Sequence, residues 1–161
     1  MEIRKAKECD FDGILRLLVQ VNQVHADGRP DIFKSGGTKY THDELRGIIS
    51  NEDTPVWVAV ENDVLLGYAF CRIIRNEETV NRHKLLELYI DDLCVDEVTR
   101  GKHVGKALYE YVVSQAKLMK ADQVTLHVWE CNQSAKKFYE AMGMKPMYTA
   151  MEEKLTYQFN N

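Results

Sequence analysis

Val98-Thr99-Arg100-Gly101-Lys102-His103-Val104-Gly105-Lys106-Ala107-Leu108, VTRGKHVGKAL, is the stretch on which the reading of the fold turns. Before it lies a β-rich run, residues 84–95 (KLLELYIDDLCV). After it, Val104, Ala107, Leu108, Tyr111, Val112 and Met119 recur at helical spacing. A glycine-punctuated loop therefore joins a strand to the start of a helix. Such a start exposes unpaired N–H groups and the positive end of the helix dipole, which suits a phosphate. Gly101 and Gly105 let backbone approach a ligand, and Arg100, Lys102 and Lys106 add countercharge. A P-loop needs four residues between its glycines and a Ser or Thr after Gly-Lys; here three residues intervene and Ala107 follows Lys106. The dinucleotide fingerprint fails on its glycine spacing as well. The plain alternative is a helix start with solvated lysines.

Outward from this loop the chain alternates short strands and helices. Residues 2–6 suit a first strand. Phe11, Ile14, Leu15, Leu18 and Val21 mark a helix that fades by residues 27–30, with Asp10 placed to cap it. Thr41-x-x-Glu44 is a capping-box pattern ahead of Leu45, Ile48 and Ile49. Residues 56–60 and 64–74 are β-rich and flank the turn Glu61-Asn62-Asp63. Residues 123–128 alternate as a strand. Ala135, Phe138, Tyr139 and Met142 share a helical face that Gly143 ends, and two strands around 144–148 and 150–158 close the chain. The order β-α-α-β-β-β-α-β-α-β-β over residues 1–161 predicts one α/β domain with a mixed, largely antiparallel central sheet and helices on both faces.

The formal charge of -4, from 21 basic and 25 acidic residues, gives no support for a nucleic-acid surface and leans toward a cationic small molecule or peptide. Cys9, Cys71, Cys94 and Cys131 show neither metal-ligand spacing nor a disulfide framework, so no metal is expected. The charged start MEIRKAKECD is unlike a signal peptide, and no apolar run approaches the roughly 18 residues of a membrane span. The expectation is a cytoplasmic protein that touches no membrane.

A second stretch follows after 26 intervening residues beyond Gly105: Asn132-Gln133-Ser134-Ala135-Lys136-Lys137-Phe138-Tyr139-Glu140-Ala141-Met142-Gly143-Met144. With the loop, it resembles the GNAT acyltransferase superfamily, whose members use coenzyme A thioesters. The family pattern Gln/Arg-x-x-Gly-x-Gly/Ala falls on Arg100 and Gly105, with His103 at its first glycine, and N-x-x-A-x-x-F-Y-x-x-x-G-F falls on residues 132–144. The likeness covers roughly residues 2–158. His103 departs from the pattern. A position with φ > 0 would strain it, although His is among the better tolerated there, whereas ordinary helical or bridge geometry would leave its N–H aimed at the phosphate. The second geometry is the expectation.

The resemblance implies a GNAT fold and acetyl transfer from acetyl-CoA to a primary amine, directly within a ternary complex. It implies that Arg100, Gly101, Lys102, His103, Val104, Gly105 and Lys106 cradle the pyrophosphate. Leu93, Cys94 and Val95 fall on the bulged strand whose backbone N–H holds the thioester carbonyl, the kind of preorganised donor that stabilises an oxyanion. Asn132, Ala135 and Phe138 fall in the second coenzyme segment, and Asn132 can cap the helix, bind the pantetheine arm, or both. Tyr139 corresponds to the tyrosine that protonates the leaving sulfur, with a core aromatic as the plain alternative. Asp91 falls where the polyamine-acetyltransferase-like branch has a glutamate that draws a proton from the amine, and Glu87 stands in reserve; strand alternation puts Asp91 and Asp92 on opposite faces. A covalent route through Cys94 lacks an activating neighbour. The loop 25–40, with Asp27, Asp31 and Tyr40, should border the acceptor. Small amines and a protein N-terminus or lysine are both open as acceptors, as are a homodimer and a non-catalytic coenzyme A sensor.

Overall fold

A computed structural model describes residues 1–155. Its sheet runs β1 (Glu2–Lys5), β2 (Val56–Glu61), β3 (Val64–Asn76), β4 (Leu85–Val95) and β5 (Gln123–Leu126) in that spatial order; every neighbouring pair is antiparallel except β4 and β5, which are parallel. The helices are α1 (Phe11–Gly28), α2 (His42–Ser50), α3 (Val104–Leu118) and α4 (Gln133–Ala141). A parallel pair needs a crossover, and α3 supplies it between β4 and β5.

Alternation along β2 explains the layering. Val56 and Val58 face α1 and α2, joining Phe11, Ile14, Leu17, Leu18, Leu45, Tyr68 and Phe70 in one apolar layer. Trp57 faces the other way, onto Tyr109, Val112 and Ala116 of α3 with Leu88 and Ile90 of β4. Both faces of the sheet are thus covered, as expected for a strand run with few polar positions.

Local signals act as the sequence predicts. Thr41 Oγ1 accepts from Glu44 N–H, and the Glu44 carboxylate returns a bond to Thr41 N–H. Asn62 and Asp63 both take positive φ, 49° and 62°, the geometry of a type I′ hairpin turn. Gly143 sits at φ 90° and α4 ends as a Schellman motif, with Met144 N–H on Tyr139 O and Gly143 N–H on Glu140 O. Asp10 precedes α1 but does not cap it. Its carboxylate takes Arg4 in a two-pronged pair (2.7 and 2.9 Å) and the Lys7 N–H, pinning β1 to the start of α1.

The two closing strands are not formed within the described residues. Residues 142–155 carry no strand, and residues 156–158 of the second lie outside the described part. Instead the segment is held by side chains: Tyr148 reaches His127, Arg29 bridges Asp31 and Glu152, and Lys154 pairs with Asp31.

Leu17 is wholly buried between α1 and the sheet. Leu17→Ala should lower unfolding stability by about 2–5 kcal/mol, read from denaturant midpoints at an unchanged slope.

Candidate active site

One irregularity organises the region around the loop. Along the β3–β4 ladder Phe70 pairs with Asp92 and Cys71 with Ile90, leaving Asp91 as an extra, unpaired residue on β4. A bulge of this kind reverses which face the following side chains take. Ile90 faces α3, whereas Cys94 faces α1. Asp92 receives the Tyr68 hydroxyl at 2.8 Å, and Asp91 receives the Tyr40 hydroxyl at 3.4 Å. Tyr68 and Tyr40 both pack against Phe70 on the α1 side, so both aspartates face that side. This corrects the expectation that they point apart, and the reason is the inserted residue.

The β4–β5 pairing stops at the same place. Its last rung is Ile90 with Leu126, and beyond it β4 continues to Val95 against β3 alone. Asp96 N–H donates to Leu66 O across β3. By alternation the Leu93 and Val95 N–H groups turn to the opposite edge, into the opening between β4 and β5. Cys94 instead points its side chain into the α1 layer, 5% exposed, with Sγ toward Leu17 O, and burial pushes its thiol up to about 12. A thiol held protonated in this way is no nucleophile.

The loop after β4 is anchored from below. Asp96 is buried and takes Arg16, Gln20 Nε2 and Val98 N–H, while Gln20 Oε1 accepts from Glu97 N–H. Gly101 (φ 80°) and His103 (φ 63°, ψ 12°) then turn the chain into α3. His103 is therefore left-handed, contrary to the ordinary helical or bridge geometry expected for it. Its exposed side chain makes no cap bond, and among the described residues no acceptor meets the N–H groups of His103, Val104, Gly105 or Lys106. That cluster of free donors, with exposed Arg100 and Lys102 beside it, fits a pyrophosphate. A Cβ on Gly105 would touch Val95 Cγ2 at 3.4 Å and the Phe138 ring at 3.6 Å, so the helix start, the strand end and α4 meet there.

On α4, Asn132 Oδ1 accepts from Ala135 N–H, which is the capping role. Tyr139 lies half-buried between Tyr109 and Phe138, and its hydroxyl bonds no acceptor among the described residues. Burial first, and then the Asp92 carboxylate, push its phenol far above the usual range, so the proton stays on at neutral pH.

The two aspartates differ in their partners. Asp91 is ion-paired with Lys39 Nζ (2.5 Å) and Arg72 Nη2 (3.2 Å). Asp92 is half-buried and has no ion pair among the described residues; burial pushes its carboxyl up to about 6 against the Tyr68 hydrogen bond and the Lys39 charge. Sequence reasoning passed over Asp92, because its adjacency to Asp91 was read through unbroken alternation. Of the other named groups, Glu87 is occupied by Gln123 Nε2 and Thr125 Oγ1, Asp27 by Gln23, and Asp31 by Arg29 and Lys154.

The family model described as the acetyltransferase (GNAT) family matches residues 14–144. The chain belongs to the GNAT acetyltransferase family. A chloroplastic GCN5-related N-acetyltransferase of Arabidopsis thaliana is 33% identical over 86 residues, covering 53% of this chain; the chain spans 28% of that relative's length. A mutant form of the BH1408 protein of Bacillus halodurans superposes with a TM-score of 0.93 at 30% identity, covering 97% of this chain and all of that one. An aminoglycoside N-acetyltransferase solved with CoA shares the GNAT fold at TM-score 0.71 and 13% identity, covering 97% and 100% of the two chains. Among the described residues no helix is long and apolar enough to cross a membrane.

His103→Gly should relieve left-handed strain of about 1–2 kcal/mol, less about 0.5–1 kcal/mol for the freer unfolded chain. The melting temperature should rise by up to about 4 °C, with acetyl-CoA affinity kept within a few-fold. A tenfold loss of affinity in calorimetry would mean that the imidazole itself contacts the phosphates.

Proposed function

We propose that this chain acetylates a primary amine by direct transfer from acetyl-CoA, with Asp92 as the base and Tyr139 as the acid. The observation that carries the reading is the bulge at Asp91. It lines the opening between β4 and β5 with backbone donors and puts a carboxylate of near-neutral pKa beside it. Acetyl-CoA, when bound, supplies a thioester whose carbonyl carbon the amine attacks. The free N–H groups at the start of α3, with Arg100 and Lys102, hold the pyrophosphate. The Leu93 and Val95 N–H groups hold the pantetheine arm and the carbonyl oxygen, where they meet charge as it develops. Asp92 takes the proton of the attacking amine. An alkylammonium has a pKa near 10, so such a sink is needed. Tyr139 keeps its proton until the sulfur leaves and then donates it.

Asp91, the base suggested by family position, has its charge committed to Lys39 and Arg72, which supports Asp92 in that role. For the acceptor we infer a small amine. The segment 148–154 is tied by Arg29, Asp31 and Lys154 against the loop after α1, which narrows the approach that an extended peptide would need. A cytoplasmic placement fits this reading.

A thiol-release screen across small amines and short peptides should find turnover with a small amine. The rate constant kcat/KM should rise with pH through about 6, since Asp92 must lose its proton before it can accept one. Tyr139→Phe and Asp92→Asn should each lower kcat by about 10²-fold or more. Wild-type turnover in Tyr139→Phe would remove the acid role. Coenzyme binding without transfer to any amine would favour a sensor.

A further inference from the structure

The bulge places two carboxyl groups side by side on one face, and like charges so placed cannot both ionise freely. What faces each of them differs. The loop between α1 and α2 brings Lys39, whose Nζ lies 2.5 Å from Asp91 Oδ2 and 5.2 Å from the centre of the Tyr40 ring. From β3, Arg72 Nη2 reaches Asp91 Oδ1 at 3.2 Å while its guanidinium lies 4.8 Å from the Tyr89 ring centre. Both cations meet Asp91, and neither pairs with Asp92. Around Asp92 stand Tyr68 from β3, Asp91, Cys94 and the Leu93 N–H from β4, and Tyr139 from α4. Lys39 and Tyr40 face it from the loop, and α1 offers the apolar Ile14, Leu17 and Leu18, with His25 nearer to Lys39.

We propose that Lys39 is a positioning residue for the transfer: its ammonium pairs with Asp91 and offsets that carboxylate's charge, leaving Asp92 as the carboxylate that exchanges a proton with the acceptor amine. The proposal rests on the acetyl-transfer reading above. Lys39 acts on Asp92 twice in the same sense. Its own positive charge favours the ionised form of Asp92, and its pairing offsets the negative charge of Asp91, which disfavours that form. Lys39 itself is not an acceptor. Burial works against its charge, but the hydrogen bond and charge of Asp91 outweigh it and keep the ammonium protonated. A protonated amine has no lone pair with which to attack a thioester.

The contact spans 52 residues of sequence, so it also ties the α1–α2 loop down over the bulge. A purely structural tie and the proposed electrostatic role differ in what happens when Asp91 is changed instead of Lys39. Removing the ammonium unmasks a negative neighbour and raises the proton affinity of Asp92. Removing the Asp91 charge lowers it. A mere loop anchor would respond to both changes alike.

The experiment compares wild type, Lys39→Met, Lys39→Arg and Asp91→Asn by two readouts: carboxyl-carbon NMR titration of Asp92 in the protein without substrates, and the pH profile of kcat/KM with the best amine from the screen. In Lys39→Met the Asp92 midpoint and the acidic limb should both move up by about one pH unit. Lys39→Arg should restore them, and Asp91→Asn should move them down. Midpoints that stay at the wild-type value in both charge-removing variants, or move the same way, would overturn the proposal. If the NMR midpoints shift as expected while the kinetic limb stays fixed, the coupling stands, and the assignment of Asp92 as the base fails.

Discussion

The constraint on which the site depends is the insertion of one residue, Asp91, into β4. Up to Ile90 the strand is paired on both sides, by β3 and by β5. At Asp91 the ladder to β3 slips by one position, and the parallel pairing to β5 has already ended. A strand buried in the middle of a sheet ordinarily satisfies both of its edges. Here the stretch Leu93–Val95 keeps one partner and leaves donors on the other edge free. The same slip reverses the faces, so that Asp92 and Cys94 turn toward α1 while Leu93 keeps its contact with α3. The edge on which the free donors lie and the face that the carboxylate takes are therefore consequences of one backbone event, beside a cleft that opens where the pairing with β5 ends.

The remaining structure holds that event in place. Arg16 and Gln20 of α1 grip Asp96 just beyond β4, so the strand cannot slide back into regular register without stripping a buried carboxylate of its partners. Burial alone would raise the Asp96 pKa; Arg16, the Val98 N–H and Gln20 outweigh it and hold the group below the usual carboxylate value. The grip is therefore present at neutral pH and is lost only as pH falls through that depressed folded-state pKa. It also sets where the 3-10 turn at residues 97–99 begins, and so where α3 presents its free N–H groups.

Much of the fold was legible because its signals are local. The Thr41 and Glu44 box, the Asn62-Asp63 turn and the Phe138, Tyr139, Met142 stripe closed by Gly143 each depend on residues within a few positions of one another. The site was less legible. A bulge has no side-chain signature of its own, so Asp91 and Asp92 were assigned to opposite faces by a period that is broken between them. His103 has ordinary local preferences, and its left-handed backbone is imposed by the need to turn from an anchored loop into α3. The pairing of Lys39 with Asp91 joins positions with no sequence relation. The closing strands have no local mark of that kind, and residues 142–155 are fastened by ion pairs and the Tyr148 contact instead of a ladder.

Charge also reads differently in three dimensions. The acidic balance of the chain leans toward a cationic partner drawn by its field. In the folded chain Lys39 and Arg72 offset Asp91, and Arg29 and Lys154 offset Asp31 and Glu152. What remains is one half-buried carboxyl whose proton affinity lies near neutrality. Attraction between a strongly anionic pocket and an ammonium would stabilise the protonated amine, which is the unreactive form. On the proposed reading, a nearly neutral site with a titrating carboxylate instead lets the amine give up its proton as it enters. On that proposal the ion pairs around Asp91 are conditions for deprotonation and not a recognition surface for positive charge.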